Sequence, residues 1–411
     1  MNYTDRKTLQ LGKLRHYEQQ VNDRHATSSA DNLEGFMRPE NGATLPLAWR
    51  RVPCSEASLF VSSAYERQAV ETELTREGAL LIPVHPLHES DYAGESLVYS
   101  GTQSFSASYR TVFYKPDADG PFASWIGDDE VMMIKLHLAE PLAGIPGDRR
   151  LTRDKVEKCV LLSDLLPRMI NKETPGKTVQ IVPEVFGVVH KDIGAIFRIL
   201  PAQGLMPVFS LTSRDRQNPG ELPFLVNFLA DKYGASASAA AESLGRELAE
   251  PLIRAVVAGF RSGFSLEMHA QNTLIRPGAE RLIEDVYFRD LEGVVASDSL
   301  RIAMGMPAIF TDSDNPELVA QDFSMRRLFN RNVDHDLGRI FQSAIKVLAH
   351  CQYFDGAACQ IARKSIRASV RREIGRSHLK SLDFPSRFMP ISRAPWGSGV
   401  KPGHWFRVNF R

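Results

Sequence analysis

Residues 265–293, SLEMHAQNTLIRPGAERLIEDVYFRDLEG, limit what this chain can fold into more than any other stretch. Two apolar runs, through Leu274–Ile275 and through Leu282–Phe288, flank the turn signal Arg276-Pro277-Gly278, and together they predict a β-hairpin. Ahead of it Leu244, Leu248, Leu252, Val256, Val257 and Phe260 recur at helical spacing between about Ser238 and Arg261, and Gly263 is placed to stop that helix. A strand-like segment between helix and hairpin sets Leu266 and Met268 on one side, with Glu267 and His269 on the other. The hairpin brings Asn272 and Asp290 near each other at its open end.

An amide oxygen and a carboxylate are hard oxygen donors, the kind that hold a magnesium ion on nucleotide phosphates. Helix, polar loop with Asn, then strand with Asp is also the order of parts in kinase-like phosphate sites, although the kinase signature itself is absent. A plainer reading stands beside it. Asn272 caps a turn, Asp290 pairs with Arg289 or Arg276, and His269 is a satisfied core histidine. The residues of the hairpin alone leave both open.

At 411 residues and 43% hydrophobic content the chain can bury a large core and should hold two or three domains. Fifty basic residues against 49 acidic ones remove any bulk electrostatic case for nucleic acid. The balance is local instead: from Arg363 to Arg411 basic residues far outnumber Glu373 and Asp383. The aromatics Phe384, Phe388, Trp396, Trp405, Phe406 and Phe410 are interleaved with them, which reads as a closing segment packed by its rings. Cys54, Cys159, Cys351 and Cys359 show no CxxC or zinc spacing and read as reduced thiols. The N-terminal stretch has no apolar signal-peptide core, and no run approaches the ~18 apolar residues of a membrane span. The expectation is a soluble cytoplasmic protein.

Along the chain, a helix is predicted within Arg6–Val21, and an apolar run from Ala79 to Val84 delivers His85-Pro86-Leu87-His88 at a strand end. These two histidines lack a third ligand at a metal-binding spacing. Tyr99–Thr111 alternates like a strand through Phe105, Ala107 and Tyr109, which turns Ser108 and Arg110 to the opposite face, with Thr111 just beyond. Hydroxyls beside a guanidinium suit phosphate oxygens, and they equally suit solvent. Met132–Leu138 is a buried-looking strand in which Lys135 requires an anionic partner, either a structural carboxylate or a phosphate.

A helix opens after Thr152 and runs to about Ile170. Strands are predicted over Thr178–Val189, Ala195–Leu200 and Met206–Thr212, and the polar loop Ser213–Gly220 marks a boundary. Helices follow over Leu222–Tyr233, Ser238–Arg261, Asp336–His350 and Ala357–Ile374. No P-loop, HExxH, GxSxG or GxGxxG motif is present.

Taken in order, HPLH at 85–88, SxRT at 108–111, Lys135 in KLHL, an Arg-Arg-Leu shortly after, HxQN at 269–272 and RDxxG at 289–293 resemble the NRPS-independent siderophore (NIS) synthetases of the aerobactin synthetase type. A weaker match continues to SHLKSL around Lys380. The resemblance implies an α+β, cupped-hand protein with ATP between strand-rich fingers and a helical, kinase-like palm. Residues 1–35 would be a reduced thumb remnant, 36–215 the fingers and 216–411 the palm.

The resemblance also implies an activity: a carboxylate such as that of citrate is activated as an acyl-adenylate with release of pyrophosphate, and an amine or hydroxyl nucleophile then displaces AMP. By motif match Ser108, Arg110, Thr111 and Lys135 hold the phosphates and Arg149 is the family's next arginine. His269, Gln271, Asn272 and Asp290 complete the site, with ATP and Mg2+ as cofactors and Asn272 and Asp290 on the metal. Arg149, His269 and Lys135 are the expected catalytic residues. Family members are often homodimers. The chain departs from the family in lacking the GHPxHPxxK motif of the acid pocket and the Thr-Ser ahead of the arginine, so a catalytically impaired nucleotide-binding relative and a kinase-like phosphotransferase are the alternatives.

Overall fold

The first half of the computed structural model runs α1 (Leu14–Gln19), β1 (Leu45–Pro53), β2 (Ala57–Val61), α2 (Arg67–Leu74), β3 (Thr75–Arg76), β4 (Ala79–Val84), β5 (Leu97–Phe105), β6 (Thr111–Lys115), β7 (Glu130–Leu136), α3 (Arg153–Glu173), β8 (Val179–Ile181), β9 (Glu184–His190) and β10 (Ile193–Pro201). The second half runs β11 (Met206–Pro207), α4 (Phe224–Tyr233), α5 (Ala237–Leu244), α6 (Glu250–Arg261), β12 (Phe264–Ser265), β13 (Thr273–Arg276), β14 (Asp285–Phe288), β15 (Val295–Ala296), α7 (Asp298–Ala303), α8 (Gly338–His350) and α9 (Gly356–Arg376). The structure describes residues 13–22, 35–92, 97–139, 149–173, 178–303, 305–309, 314–317, 328 and 330–377. Residues 6–12, the loop before Arg149 and the aromatic segment past 377, Lys380 included, lie outside them. Among the described residues no helix is long and apolar enough to cross a membrane.

Nine strands form one sheet in the order β2-β9-β10-β7-β6-β5-β1-β4-β3. Residues 54–56 alone join β1 to β2, a link of about 14 Å at full stretch, yet five strands stand between these two in the sheet. The sheet therefore curls until its far strands face each other. Ring contacts across the enclosed space record this: Trp49 of β1 stacks on Phe197 of β10 at 6.4 Å, and Phe197 meets Phe186 of β9 at 4.7 Å. Phe122 closes the group against Phe186, also at 4.7 Å. All four rings are fully buried, and each contributes roughly 2–3 kcal/mol by leaving water.

The four-stranded sheet, β11-β13-β14-β8, contains the predicted hairpin, with Thr273 opposite Phe288 and Arg276 opposite Asp285. Its fourth strand, β8, pairs in parallel with β14 and comes from the other side of the chain's polar boundary loop. The run predicted as one strand over 178–189 is two. Val182 and Pro183 interrupt it, and β8 joins the small sheet while β9 joins the large one. The two sheets thus meet across a two-residue passage, and α3 lies over both. Glycines let it sit close: a Cβ at Gly187 would come within 2.3 Å of Val156 Cγ1. Outside the hairpin, α4, α5, α6, α8 and α9 pack an apolar core, and a π-helical turn at Gly245–Ala249 joins α5 to α6 as the predicted helix over 238–261 requires.

Two further expectations change in detail. Met206–Thr212 supplies a two-residue strand and then a 3-10 turn at Val208–Leu211. The segment ahead of His269 is strand only at Phe264–Ser265, because its partner β15 is two residues long.

Candidate nucleotide site

Ser108 and Arg110 sit on a tight loop, where the sequence pattern had suggested a strand. Ser106 N–H donates to Thr111 O (2.9 Å), Ser108 Oγ accepts from Thr111 N–H (3.0 Å), and Tyr109 adopts a left-handed φ of 62° to close the turn. The loop projects from the β5–β6 hairpin, and Thr111 begins β6 directly opposite Lys135 of β7. Arg110 Nη1 donates to Arg149 O (2.7 Å), while Arg149 Nη1 donates back to Ser108 O (3.3 Å), so these two arginines and the serine loop form one unit.

The hairpin end approaches from the other sheet. Arg289 N–H donates to Asn272 O (2.9 Å), which fixes Asn272 beside the last residues before Asp290. His269 Nδ1 accepts from the N–H groups of Gln271 and Asn272, each at 3.3 Å, so the neutral ring carries its proton on Nε2. Asp290 holds a left-handed φ of 76°, unusual for a residue with a side chain, and strain of this kind gathers at functional sites. The plainer pairings do not form: Arg276 pairs with Asp285 (3.2 Å) and Arg289 with Glu18.

Asp290 pairs with Lys135, which is 1% exposed and also meets Glu292 Oε2 at 2.7 Å. Burial alone would depress the Lys135 pKa, but the Asp290 and Glu292 carboxylates more than offset it and hold it above the ordinary lysine value. Burial would likewise raise Asp290, yet Lys135, Arg198 and Arg110 hold it far below the usual carboxylate range. The same opposition holds Glu292 at about 2, with Lys135 and Arg110 outweighing burial. All three groups are therefore charged at neutral pH.

Glu292 escaped the motif reading, although it lies two residues past Asp290. Its Oε2 takes Arg110 Nη2 at 2.7 Å, and its Oε1 takes Lys155 Nζ at 3.4 Å. Arg198, 2% exposed, meets Asp290 at 3.5 Å and is held from behind by Glu184. Its signal was present: a charge within the apolar run 195–200, as for Lys135. The carboxylates of Asp290 and Glu292 thus occupy the cations that a polyphosphate would need. The Asn272 side-chain nitrogen, by contrast, is buried with no hydrogen-bond partner among the described residues. Rotation of that amide presents either its nitrogen or its oxygen to a ligand.

The histidines of the HPLH motif support the loop from outside. His85 Nδ1 accepts from Leu87 N–H (3.2 Å), which leaves Nε2 to donate to Tyr109 O (3.1 Å). His88 Nε2 accepts from Ala139 N–H (3.1 Å), and its Nδ1 meets Asp91 (2.8 Å). Burial pushes the His85 pKa down to about 4, against the opposing pull of the Tyr109 carbonyl. A depressed histidine stabilises the fold fully above its ordinary value, near 6.5, and loses that contribution as pH falls toward 4. Between those limits the stability should decline by about 3 kcal/mol through this group. Denaturant titrations at pH 7 and pH 4 check this: His85→Asn should flatten the difference, and an equally steep decline in the variant would rule out His85 as its source.

No protein-family model and no curated protein matches the chain. Solved structures do. The aerobactin synthetase IucA from a hypervirulent pathotype of Klebsiella pneumoniae superposes with a TM-score of 0.63 at 15% identity, over 90% of this chain and 71% of that one. The ATP-bound form of IucA gives 0.61 at 16% identity over 88% and 70%, and the petrobactin biosynthesis protein AsbB from Bacillus anthracis gives 0.62 at 16% over 90% and 69%. The chain has the fold of the aerobactin synthetases. In this chain the two sheets of that α+β fold meet at Lys135, Arg110, Asp290 and Glu292.

Proposed function

We propose that the chain is an NIS synthetase, an ATP-dependent ligase of siderophore biosynthesis. On this reading it adenylates a small di- or tricarboxylic acid, releases pyrophosphate and passes the activated acid to an amine or hydroxyl nucleophile. The observation that carries the proposal is the meeting of Lys135 and Arg110, on the large-sheet side and next to Arg149, with Asp290 at the end of the hairpin, together with an Asn272 amide nitrogen that has no partner among the described residues. That the fold is shared with a synthetase solved with ATP bound adds to it.

Attack of a carboxylate oxygen on the α-phosphorus brings two anions together. Lys135, Arg110 and Arg149 supply the positive charge that offsets this repulsion and stabilises the transferring group, while Ser108 and Thr111 add hydroxyl donors to phosphate oxygens. Glu292 leaves Arg110 as the polyphosphate enters. The residues fit a magnesium ion, since Asp290 is a firmly ionised carboxylate and the buried Asn272 amide, whose nitrogen has no partner among the described residues, can turn its oxygen outward, and the ion would neutralise charge across the phosphates. Gln271, adjoining both His269 and Asn272, completes the nucleotide contacts. His269, with its proton on Nε2, orients the acid's carboxylate. Holding the acid and the phosphate in line supplies much of the rate without a covalent enzyme intermediate. On this reading 36–215 are the fingers, 216–411 the palm and 1–35 a reduced thumb.

Product identity tests the reading. Purified protein given MgATP, a panel of di- and tricarboxylates and a panel of amines should release AMP and pyrophosphate only when an acid is present. Release of ADP would establish phosphotransfer in its place, and ATP binding without AMP would mark a non-catalytic relative.

A further inference from the structure

The two halves of the site come from different sheets, and a third element touches both. That element is α1. Its Leu14 N–H donates to Ala202 O (2.9 Å) just past β10 of the large sheet, while Ser210 Oγ on Val21 O (2.9 Å) anchors it to the small-sheet side. His16 meets Asp215 at 3.0 Å on the same side. On the large-sheet side Gln19 Nε2 donates to Phe105 O (3.0 Å), where β5 ends.

Between these anchors Glu18 is fully buried, and its two oxygens diverge. Oε2 accepts from Ala107 N–H (3.0 Å), one residue before Ser108. Oε1 pairs with Arg289 Nη2, one residue before Asp290. Arg289 in turn donates to Gln271 O from both Nε (3.1 Å) and Nη2 (2.9 Å), next to Asn272. One carboxylate thereby reaches the phosphate loop through one bond, and both ends of the hairpin through two.

We propose that Glu18 is a positioning residue that sets the spacing between the Ser108 loop and the Asn272–Asp290 end of the hairpin. Fully buried, it acts through Ala107 and Arg289. A buried surface-free ion pair used only for packing would have no reason to divide its oxygens between the two halves of a site. The link to nucleotide affinity rests on the function proposed above, but the coupling of the two segments does not.

Two variants of the full chain test this. Glu18→Gln keeps the shape and an acceptor for Ala107 but removes the negative charge that Arg289 meets; should it fold poorly, Glu18→Gln with Arg289→Gln removes both charges together. In hydrogen-exchange mass spectrometry, amides of 104–111 and of 269–273 should both exchange about tenfold faster, a factor typical of losing a charged hydrogen bond, while strands β9 and β10 keep their protection. Calorimetry should show MgATP affinity lowered by about tenfold in whichever variant matches the wild-type melting temperature. Loosening of one segment alone, or of neither, overturns the coupling. Unchanged affinity in a loosened variant overturns the positioning role. Should wild type itself bind no MgATP, the nucleotide reading fails, and the exchange result still decides whether Glu18 couples the segments.

Discussion

Lys135→Met is expected to abolish MgATP binding by calorimetry and to lower the unfolding free energy by about 3–5 kcal/mol. The ammonium is 1% exposed and is shared between Asp290 and Glu292. Removing it leaves two buried carboxylates side by side, with Arg110, Arg198 and Lys155 as the remaining positive charge close to them. Asp290 and Glu292, now held far below or near the foot of the carboxylate range, would climb toward protonation. A protonated Asp290 is a poor ligand for a cation, so on the proposed function binding is lost twice over, at the phosphate and at the metal. Lys135→Met combined with Glu292→Gln restores the balance of charge; it should recover most of the stability and none of the binding. Binding within about threefold of wild type in either variant would remove Lys135 from the site.

Arg198→Met is expected to cost about 3–5 kcal/mol at neutral pH, read as the shift of a urea unfolding midpoint. Arg198 Nε donates to Glu184 Oε1 at 2.8 Å, and the glutamate is fully buried with its Oε2 unpartnered among the described residues. Its carboxylate has given up water, and the Arg198 guanidinium is the cation bonded to it in return, with the Cys159 thiol beside it. Without Arg198 it must either stay charged in an apolar interior or take up a proton. The paired change Arg198→Met with Glu184→Gln should recover most of the loss, because neither charge is then stranded. A shift below about 1 kcal/mol for Arg198→Met alone would mean that water reaches Glu184 and that the pair is not a structural support for Asp290.

Legibility followed sequence distance. The hairpin could be read because its cues are local: alternating apolar residues, a Pro-Gly turn and polar residues at fixed offsets. Lys135 could be read because a charge inside an apolar run needs a partner, and Arg198 offered the same cue. Ser108 and Arg110 belonged to the site by motif, but their local structure was misread. A single left-handed residue, Tyr109, turns apparent alternation into a loop, and no side-chain pattern encodes that φ. The break between β8 and β9 had a visible cause in Pro183, which cannot donate to a ladder, yet the exchange of sheets there depends on β14 more than a hundred positions later. Glu18 gave no cue at all. Its partners lie 89 and 271 positions away, and a lone glutamate on a short polar helix looks like any solvated residue.

That last separation bears on how the molecule is made. Contacts that close long loops form late, since chain entropy is lost before they return any energy. During synthesis Glu18 emerges 271 residues ahead of Arg289, and through that interval its carboxylate has no guanidinium to meet. The curled sheet can close around its aromatic rings without it, and so can much of the helical core. Docking of α1 onto the hairpin then waits until the ribosome has delivered Arg289, so the two halves of the proposed site are joined through a segment translated well before either of them is complete.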